Sequence, residues 1–485
     1  MSIVRRMLTV SLVLSLTACG GEEEAEQPTS TSTSTPGPGA ASDVPPALNE
    51  GVEPTPTTEL PGGSSVRTAA PEPATGCPAN EVTQHLARPG TVHHRPVAAD
   101  ETLDLAGSPH RFPQGMSVSE NATLTVEPCV LILVGDGNNI TVARGGALVS
   151  EGAEGRPIRF DSGSADPAPG QWSGIHIDNN ARPQTRFVHT LIEDAGASHQ
   201  GAAIYVQGQF ALKVQHVTIR HSGQHGVRLE GEAHFTDDST ALTVTESGKE
   251  DPYSAPVWFK SASQVRTLPE GEYSGNASDE IYVDRREVRT NATWRNPGVR
   301  YRLHQGLSVG SDNGAVLTIS PGTTLAFNSG TYFAVGFGND GGIVLDGESA
   351  ETPITLTSAR PHPSPGDWGG VRLGQHRADS VIKIDHAVIE HAGSEARHPH
   401  TARERNSCRE HGRAAVAVQH HDLGPKITNT IFRSTHAEAA ALLLVFRGDS
   451  TDYTAEVHGN DLSEAGTECR QNLQAEGDCP DPACR

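Results

Sequence analysis

Between about residues 92 and 466 the apolar positions fall in short runs, bounded by Gly, Pro, Asn, Asp and Ser. Ala203-Ile204-Tyr205-Val206, Val214-Gln215-His216-Val217-Thr218-Ile219 and Val381-Ile382-Lys383-Ile384 are of this kind. Such runs predict short β-strands between turns. No segment sustains a helical period, which disfavours a doubly wound sheet or a leucine-rich horseshoe. The strands also recur. The motif aliphatic-x-x-small-Gly starts at Ile192, Ile219 and Val244, at spacings of 27 and 25 residues. It returns at Ile389, Ile431 (ending on Thr435) and Leu462, at spacings of 42 and 31, which implies inserted loops. A period near 25 suits a parallel β-helix with about three strands per coil. Equivalent strands then stack about 4.8 Å apart. Like residues fall above one another, and a ladder such as Ile192-Ile219-Val244 fills the interior. Glycine and small polar residues make the corners.

A longer repeat lies over the short one. Pro169-Gly170-Gln171-Trp172-Ser173-Gly174-Ile175 returns as Pro365-Gly366-Asp367-Trp368-Gly369-Gly370-Val371. Leu191 to Gly196 returns as Val388 to Gly393, Gln114 to Val118 as Gln305 to Val309, and Leu124 to Pro128 as Leu317 to Pro321. Two copies, near 92–250 and 282–466, predict roughly 15 coils and about 70 Å of solenoid, as one rod or two.

Leu317-Thr318-Ile319-Ser320-Pro321-Gly322, Pro365-Gly366-Asp367-Trp368-Gly369-Gly370 and Val388-Ile389-Glu390-His391-Ala392-Gly393 carry a resemblance. The chain resembles the right-handed parallel β-helix repeat proteins of bacterial surfaces, whose fold is that of the pectate lyase superfamily. Residues 252–300, notably Tyr273-Ser274-Gly275-Asn276 and Ala292-Thr293-Trp294, look like the connecting piece of such proteins. The resemblance implies an all-β, right-handed parallel β-helix in two related halves. These are 76–250, with an N-terminal cap, and 301–466, joined by 251–300 and followed by a Cys-rich tail at 467–485. It speaks to fold, because these motifs are structural.

The N-terminus adds an address. Arg5 and Arg6 precede a short apolar stretch, Met7 to Leu16, which is too short to span a bilayer and reads as a signal peptide over 1–18. Leu16-Thr17-Ala18-Cys19 resembles the bacterial lipobox, which implies lipid attachment at Cys19 and anchoring to a membrane. Gly20 stands where that family uses Asp for inner-membrane retention, so the outer membrane or cell surface is expected. Residues 19–75 are acidic, then rich in Thr, Ser, Pro and Gly, and read as a disordered tether. With Cys19 lipidated, Cys77, Cys129, Cys408, Cys469, Cys479 and Cys484 remain as disulfide candidates. Six cysteines allow 15 pairings; we expect Cys77 with Cys129 at the N-terminal end. A formal charge of −22 makes nucleic acid an unsuitable partner.

Few residues point to chemistry. Trp172 and Trp368 are candidate sugar-stacking platforms, although their shared repeat position favours a structural role. The segment Ser394–Arg413 has no counterpart in copy one and is a basic island on an acidic chain. Its Arg397, Arg403, Arg405 and Arg409 are candidate contacts for an anionic or glycan ligand. His398, His400 and His411 are weak metal candidates; no metal is expected overall. Ile384-Asp385-His386 resembles part of the Trp-Ile-Asp-His segment of pectate lyases, with Lys383 where that family has Trp. Glu193 with Asp194, or Asp385 with Glu390, are the acid pairs a glycosidase would need. The leading expectation is a non-enzymatic surface lipoprotein for glycan binding, adhesion or envelope structure, without a cofactor. The alternative is a polysaccharide lyase or glycoside hydrolase on the same fold; calcium as a cofactor enters only with the lyase.

Overall fold

The computed structural model describes residues 76–77, 88–197, 201–248, 254–337, 339–374, 381–394, 413–419, 426–437, 439–445, 455–466 and 471–473. Residues 1–75, where a signal peptide and a tether are expected, lie outside the described residues. So do Cys408, Cys469, Cys479 and Cys484, the four candidate arginines of the insertion, and His398, His400 and His411.

The strands pair in parallel and form sheets of 13, 12, 7 and 5 strands, with almost no helix. The fold is a right-handed parallel β-helix. The 13-stranded sheet runs unbroken from Met116–Val118 to Asp461–Glu464. Its successive strands include Val257–Ser261, Glu280–Arg285 and Arg300–Leu303, so residues 254–300 are coils of one solenoid and not a link between two rods. Thirteen strands make a sheet of roughly 58 Å. That is shorter than the sequence period suggests, because insertions consume residues without adding coils.

The interior is built from in-register ladders. Ile140, Ile175, Ile204, Val227, Val257, Ile281, Tyr301, Leu325, Leu356 and Ile389 stack coil upon coil in the 13-stranded sheet, each fully buried. Burying each such side chain contributes about 1.5–3 kcal/mol. Ile192, Ile219 and Val244 form the same kind of ladder in the 12-stranded sheet.

The aliphatic-x-x-small-Gly motif is a corner. Its third residue takes a left-handed conformation in coil after coil: Asp194, His221, Glu246 and His391 have φ between 51° and 60°, and Ser434, the fourth residue of the motif that starts at Ile431, has φ 50° because Phe432 and not Ile431 aligns with Ile389. The closing glycine of the first copy, Gly196, has φ 85°, and a Cβ there would sit 2.5 Å from Ser222 Oγ. At the N-terminal end Cys77 and Cys129 form a disulfide across 52 residues.

The two sequence copies do not occupy the same faces. Gly174–Ile177 belongs to the 13-stranded sheet, but its counterpart Val371–Leu373 belongs to the 7-stranded one. Arg186–Glu193 belongs to the 12-stranded sheet, but Ala387–Glu390 belongs to the 13-stranded one. The change falls between Gly271–Glu272, where the 12-stranded sheet ends, and Glu287–Val288, where the 7-stranded sheet begins. Beyond that point the second copy is turned by one face about the axis.

Candidate functional site

On the outward side of the 13-stranded sheet, alternate residues form columns as regular as those inside. One column reads His176, Tyr205, Arg228, Trp258, Tyr282 and Arg302, each in register with the next. The Arg228 guanidinium carbon lies 4.6 Å from the centroid of the Trp258 ring and 5.8 Å from that of Tyr205. Trp258 and Tyr282 stack with centroids 6.0 Å apart and planes 10° from parallel. Lys260 Nζ sits 5.3 Å from the Trp258 centroid. Such cation–π contacts contribute about 0.5–1 kcal/mol at exposed sites and more when desolvated. Beside this column runs a charged one, in which Glu230 holds Arg228 and Asp284 holds Lys260 at 2.8 Å. Ring faces are therefore used within the stack. What the column offers outward is ring edges, with Trp258 7% exposed, and the partly exposed heads of Arg228 and Lys260.

The sequence signal for this column is the middle residue of apolar-x-apolar in Ile204-Tyr205-Val206, Val227-Arg228-Leu229, Val257-Trp258-Phe259 and Ile281-Tyr282-Val283. No single run stands out. The column emerges when the register aligns them.

A second cluster lies on the 12-stranded sheet. Glu193, fully buried, meets Arg159 Nε at 2.6 Å through Oε2 and bonds to Arg220 through Oε1. Arg159 also bonds to Asp161 Oδ2 at 2.6 Å, so one guanidinium serves two acids. Burial pushes Asp161 up to about 6, against the pull of Arg159. At the adjoining corner His221 lies between Asp194 (3.5 Å) and Glu246 (3.1 Å). The hydrogen bond with Asp194 raises the His221 pKa, outweighing burial. A carboxyl titrating near 6 can exchange a proton close to neutrality. Here, however, the acids are buried and already hold arginines.

The acid pairs suggested by sequence separate. Glu193 faces the two arginines, whereas Asp194 turns to His221 at the corner. Asp385 ends a strand of the 5-stranded sheet and Glu390 one of the 13-stranded sheet. Asp346, Asp385 and His386 bring one ligand atom each within 4.8 Å of one another. Lys383 bonds to Asp346 there and lies 3.5 Å from Asp385, so the two carboxylates already share an ammonium. Asp385 Oδ1 also accepts hydrogen bonds from Thr428 and Asn429, each 2.8 Å.

Trp172 and Trp368 are both fully buried, which corrects their candidacy as stacking platforms: a sugar cannot reach either ring. Their indole N–H groups donate to the carbonyls of Glu193 (2.7 Å) and Glu390 (2.8 Å), and Trp368 stacks on Phe327 at 4.3 Å. Each closes a coil where a loop re-enters the sheet. Of the insertion, Ser394 and Arg413 are described; Arg413 Nη1 lies 3.0 Å from His436 Nε2.

Residues 100–208 and 287–392 match the family model of the pectate-lyase-like β-helix domain. No curated protein and no solved structure matches the chain. The two matched segments, one in each copy of the internal repeat, are thus similar to the pectate-lyase-like β-helix domain, and both contribute strands to the 13-stranded sheet.

Proposed function

We propose that this protein is a non-catalytic surface β-helix that holds a glycan along its 13-stranded face. The observation that carries this reading is the in-register column Tyr205–Arg228–Trp258–Tyr282. Four coils at about 4.8 Å spacing cover roughly 14 Å of a rigid surface, on which the partly exposed heads of Arg228 and Lys260 are the accessible groups and the rings beneath them are 4–9% exposed. A preformed surface limits the entropy cost of ordering a flexible chain. The lipobox-like Leu16–Cys19 and the 19–75 segment support display from an outer membrane through an acylated Cys19. Loss of fatty-acid labelling in Cys19→Ala tests that anchor.

One observation favours a second reading, a polysaccharide lyase or glycoside hydrolase on the same fold. Asp161, pushed up to about 6 beside the buried Glu193, has the character of an acid–base group. Fold alone does not decide between the two.

The test is a glycan array probed with the purified full chain, followed by product analysis of every bound sugar with and without calcium. Binding without cleavage, weakened in Trp258→Phe and Arg228→Gln, supports the binding face. New unsaturated or reducing ends, lost in Asp161→Asn, overturn it in favour of the enzyme.

A further inference from the structure

At the N-terminal end of the solenoid a chain of hydrogen bonds ends on a bare acceptor. His93 follows the strand Thr91–Val92, and its backbone N–H donates to the Arg111 carbonyl at 2.9 Å. Its ring stacks on Phe112, with centroids 4.6 Å apart and planes 14° from parallel. Phe112 is buried, so the ring is held in one orientation. His93 Nε2 lies 3.0 Å from His110 Nδ1, and His110 Nε2 lies 2.8 Å from the Asp104 carbonyl. A carbonyl only accepts, so His110 Nε2 carries its proton. In the neutral ring His110 Nδ1 then accepts, and His93 Nε2 donates to it. His93 is left with a lone pair on Nδ1. That atom faces Glu101 Oε1 at 3.6 Å, and a carboxylate also only accepts. Two acceptors thus confront each other.

Both residues line an open cleft of about 640 Å³ bounded by residues 92–101. Their side chains are 17% and 40% exposed, so the pair is open to solvent. Among the described residues no lysine or arginine pairs with Glu101. What a lone pair and a carboxylate can share is a cation. Zinc bonds of about 2.0–2.1 Å to nitrogen and about 2.0–2.2 Å to oxygen, at a tetrahedral angle, place the two ligand atoms about 3.3–3.5 Å apart. The observed separation of 3.6 Å is close to that. The relay from His93 through His110 to a carbonyl is the kind of outer shell that fixes the tautomer and orientation of a metal-binding imidazole. Imidazole with carboxylate suits zinc or copper, whereas calcium takes six to eight oxygens.

We propose that His93 Nδ1 and Glu101 Oε1 bind a divalent transition-metal ion of the zinc class at the N-terminal end of the solenoid. Among the described residues no third His, Cys, Asp or Glu brings a ligand atom within 4.8 Å of both, so water or an exogenous group completes the coordination. The site belongs to the first copy of the repeat. Glu101 is in register with Leu124, whereas Leu317, the counterpart of Leu124, is in register with Ala292. The proposal does not depend on the glycan reading.

The experiment compares the tag-free full chain with Glu101→Gln and His93→Gln in metal-free buffer at pH 7.5. Zn²⁺ is titrated by calorimetry, alone and against Ca²⁺, and the melting temperature is followed. The wild-type isotherm is expected to contain one Zn²⁺ site that weakens at least about tenfold in each variant and that equimolar Ca²⁺ leaves unchanged. Cu²⁺ bound in its place should show nitrogen coupling by electron paramagnetic resonance, lost in His93→Gln and kept in Glu101→Gln. Without metal, Glu101→Gln should melt at or above the wild-type temperature, because its amide can donate to His93 Nδ1. A Zn²⁺ isotherm unchanged in either variant overturns the proposal, as does no Zn²⁺ binding by wild type. Displacement by Ca²⁺ overturns the assignment to a transition metal. So does a lower Tm of metal-free Glu101→Gln, which would show that a protonated His93 is the partner of Glu101 and that the pair is an ion pair of the chain itself.

Discussion

Glu193 and Glu390 occupy the same position of the internal repeat and each pairs with an arginine one coil on, yet they lie on different sheets. Glu193 bonds to Arg220 on the 12-stranded sheet; Glu390 Oε2 bonds to Arg433 at 2.8 Å on the 13-stranded sheet. The turn by one face between the copies places repeated chemistry on separate sides of the rod.

Their energetics also differ. Glu193 is fully buried between two arginines; Glu193→Gln leaves Arg220 without its carboxylate, while Arg159 keeps Asp161, and should destabilise by about 3 kcal/mol. The arginine facing Glu390 is 46% exposed, so Glu390→Gln should cost no more than about 1 kcal/mol. Hydrogen exchange localised to the coils around each site checks both, since long repeat arrays need not unfold in two states. Equal costs would mean that the repeat position, and not the environment, sets the strength.

The same first-copy cluster predicts a pH dependence of two parts. The His221 pKa is raised, so its contribution is fully present below the unfolded value of 6.5 and is lost as pH rises through the folded value. His221→Gln should therefore lose stability against wild type at pH 5 and match it at high pH. Asp161 is an acid raised from 3.8 to about 6, so the folded state gains stability as pH falls across that window. Asp161→Asn, which mimics the protonated form, should reduce the pH dependence between 4 and 6. Melting temperatures of the three proteins from pH 4 to 8 test this; identical pH profiles for wild type and variants would refute it.

Trp172→Ala should destabilise the first copy by about 3–5 kcal/mol, the range for a large buried aromatic. Trp172→Phe keeps most of the volume and loses the bond to the Glu193 carbonyl, so a cost near 1 kcal/mol is expected. Trp368 should behave alike, with an added loss from its stacking on Phe327. Tryptophan fluorescence during denaturation reads each site. A Trp172→Ala variant as stable as wild type would show that the corner does not depend on the indole.

Breaking the Cys77–Cys129 bridge opens a loop spanning 52 residues, for which chain entropy gives about 4 kcal/mol at most. The effect should be confined to the N-terminal coils, because each coil contacts its neighbours. Protection of amides near Leu124–Val126 should fall in Cys77→Ala/Cys129→Ala, while those near Leu356 stay unchanged. Uniform loss along the rod would mean that the solenoid unfolds as one unit.

The inward side of this protein is legible in its sequence because period and burial carry the same information. An aliphatic residue recurring every 25 or so positions has to be interior, and Ile192, Ile219 and Val244 are. The corner motif is legible for a related reason: a left-handed turn favours the small residue and glycine at its end. Trp172 and Trp368 share one repeat position, which favours a structural role in the sequence, and both lie fully buried.

What the sequence by itself determined is the strand content, the coil period, the interior ladders and the duplication, all of them consequences of local pattern. The tertiary structure alone decided which outward residues share a column. Coils of unequal length put Arg228 and Trp258 thirty residues apart yet in register, and Arg372 and Ala417 forty-five apart. It also decided the turn between the copies, which falls between Gly271–Glu272 and Glu287–Val288, outside both matched segments. Outward residues are under no requirement to be apolar, so periodicity cannot find them. Their neighbours are set by hydrogen-bonded register across coils, and register is a property of the assembled sheet.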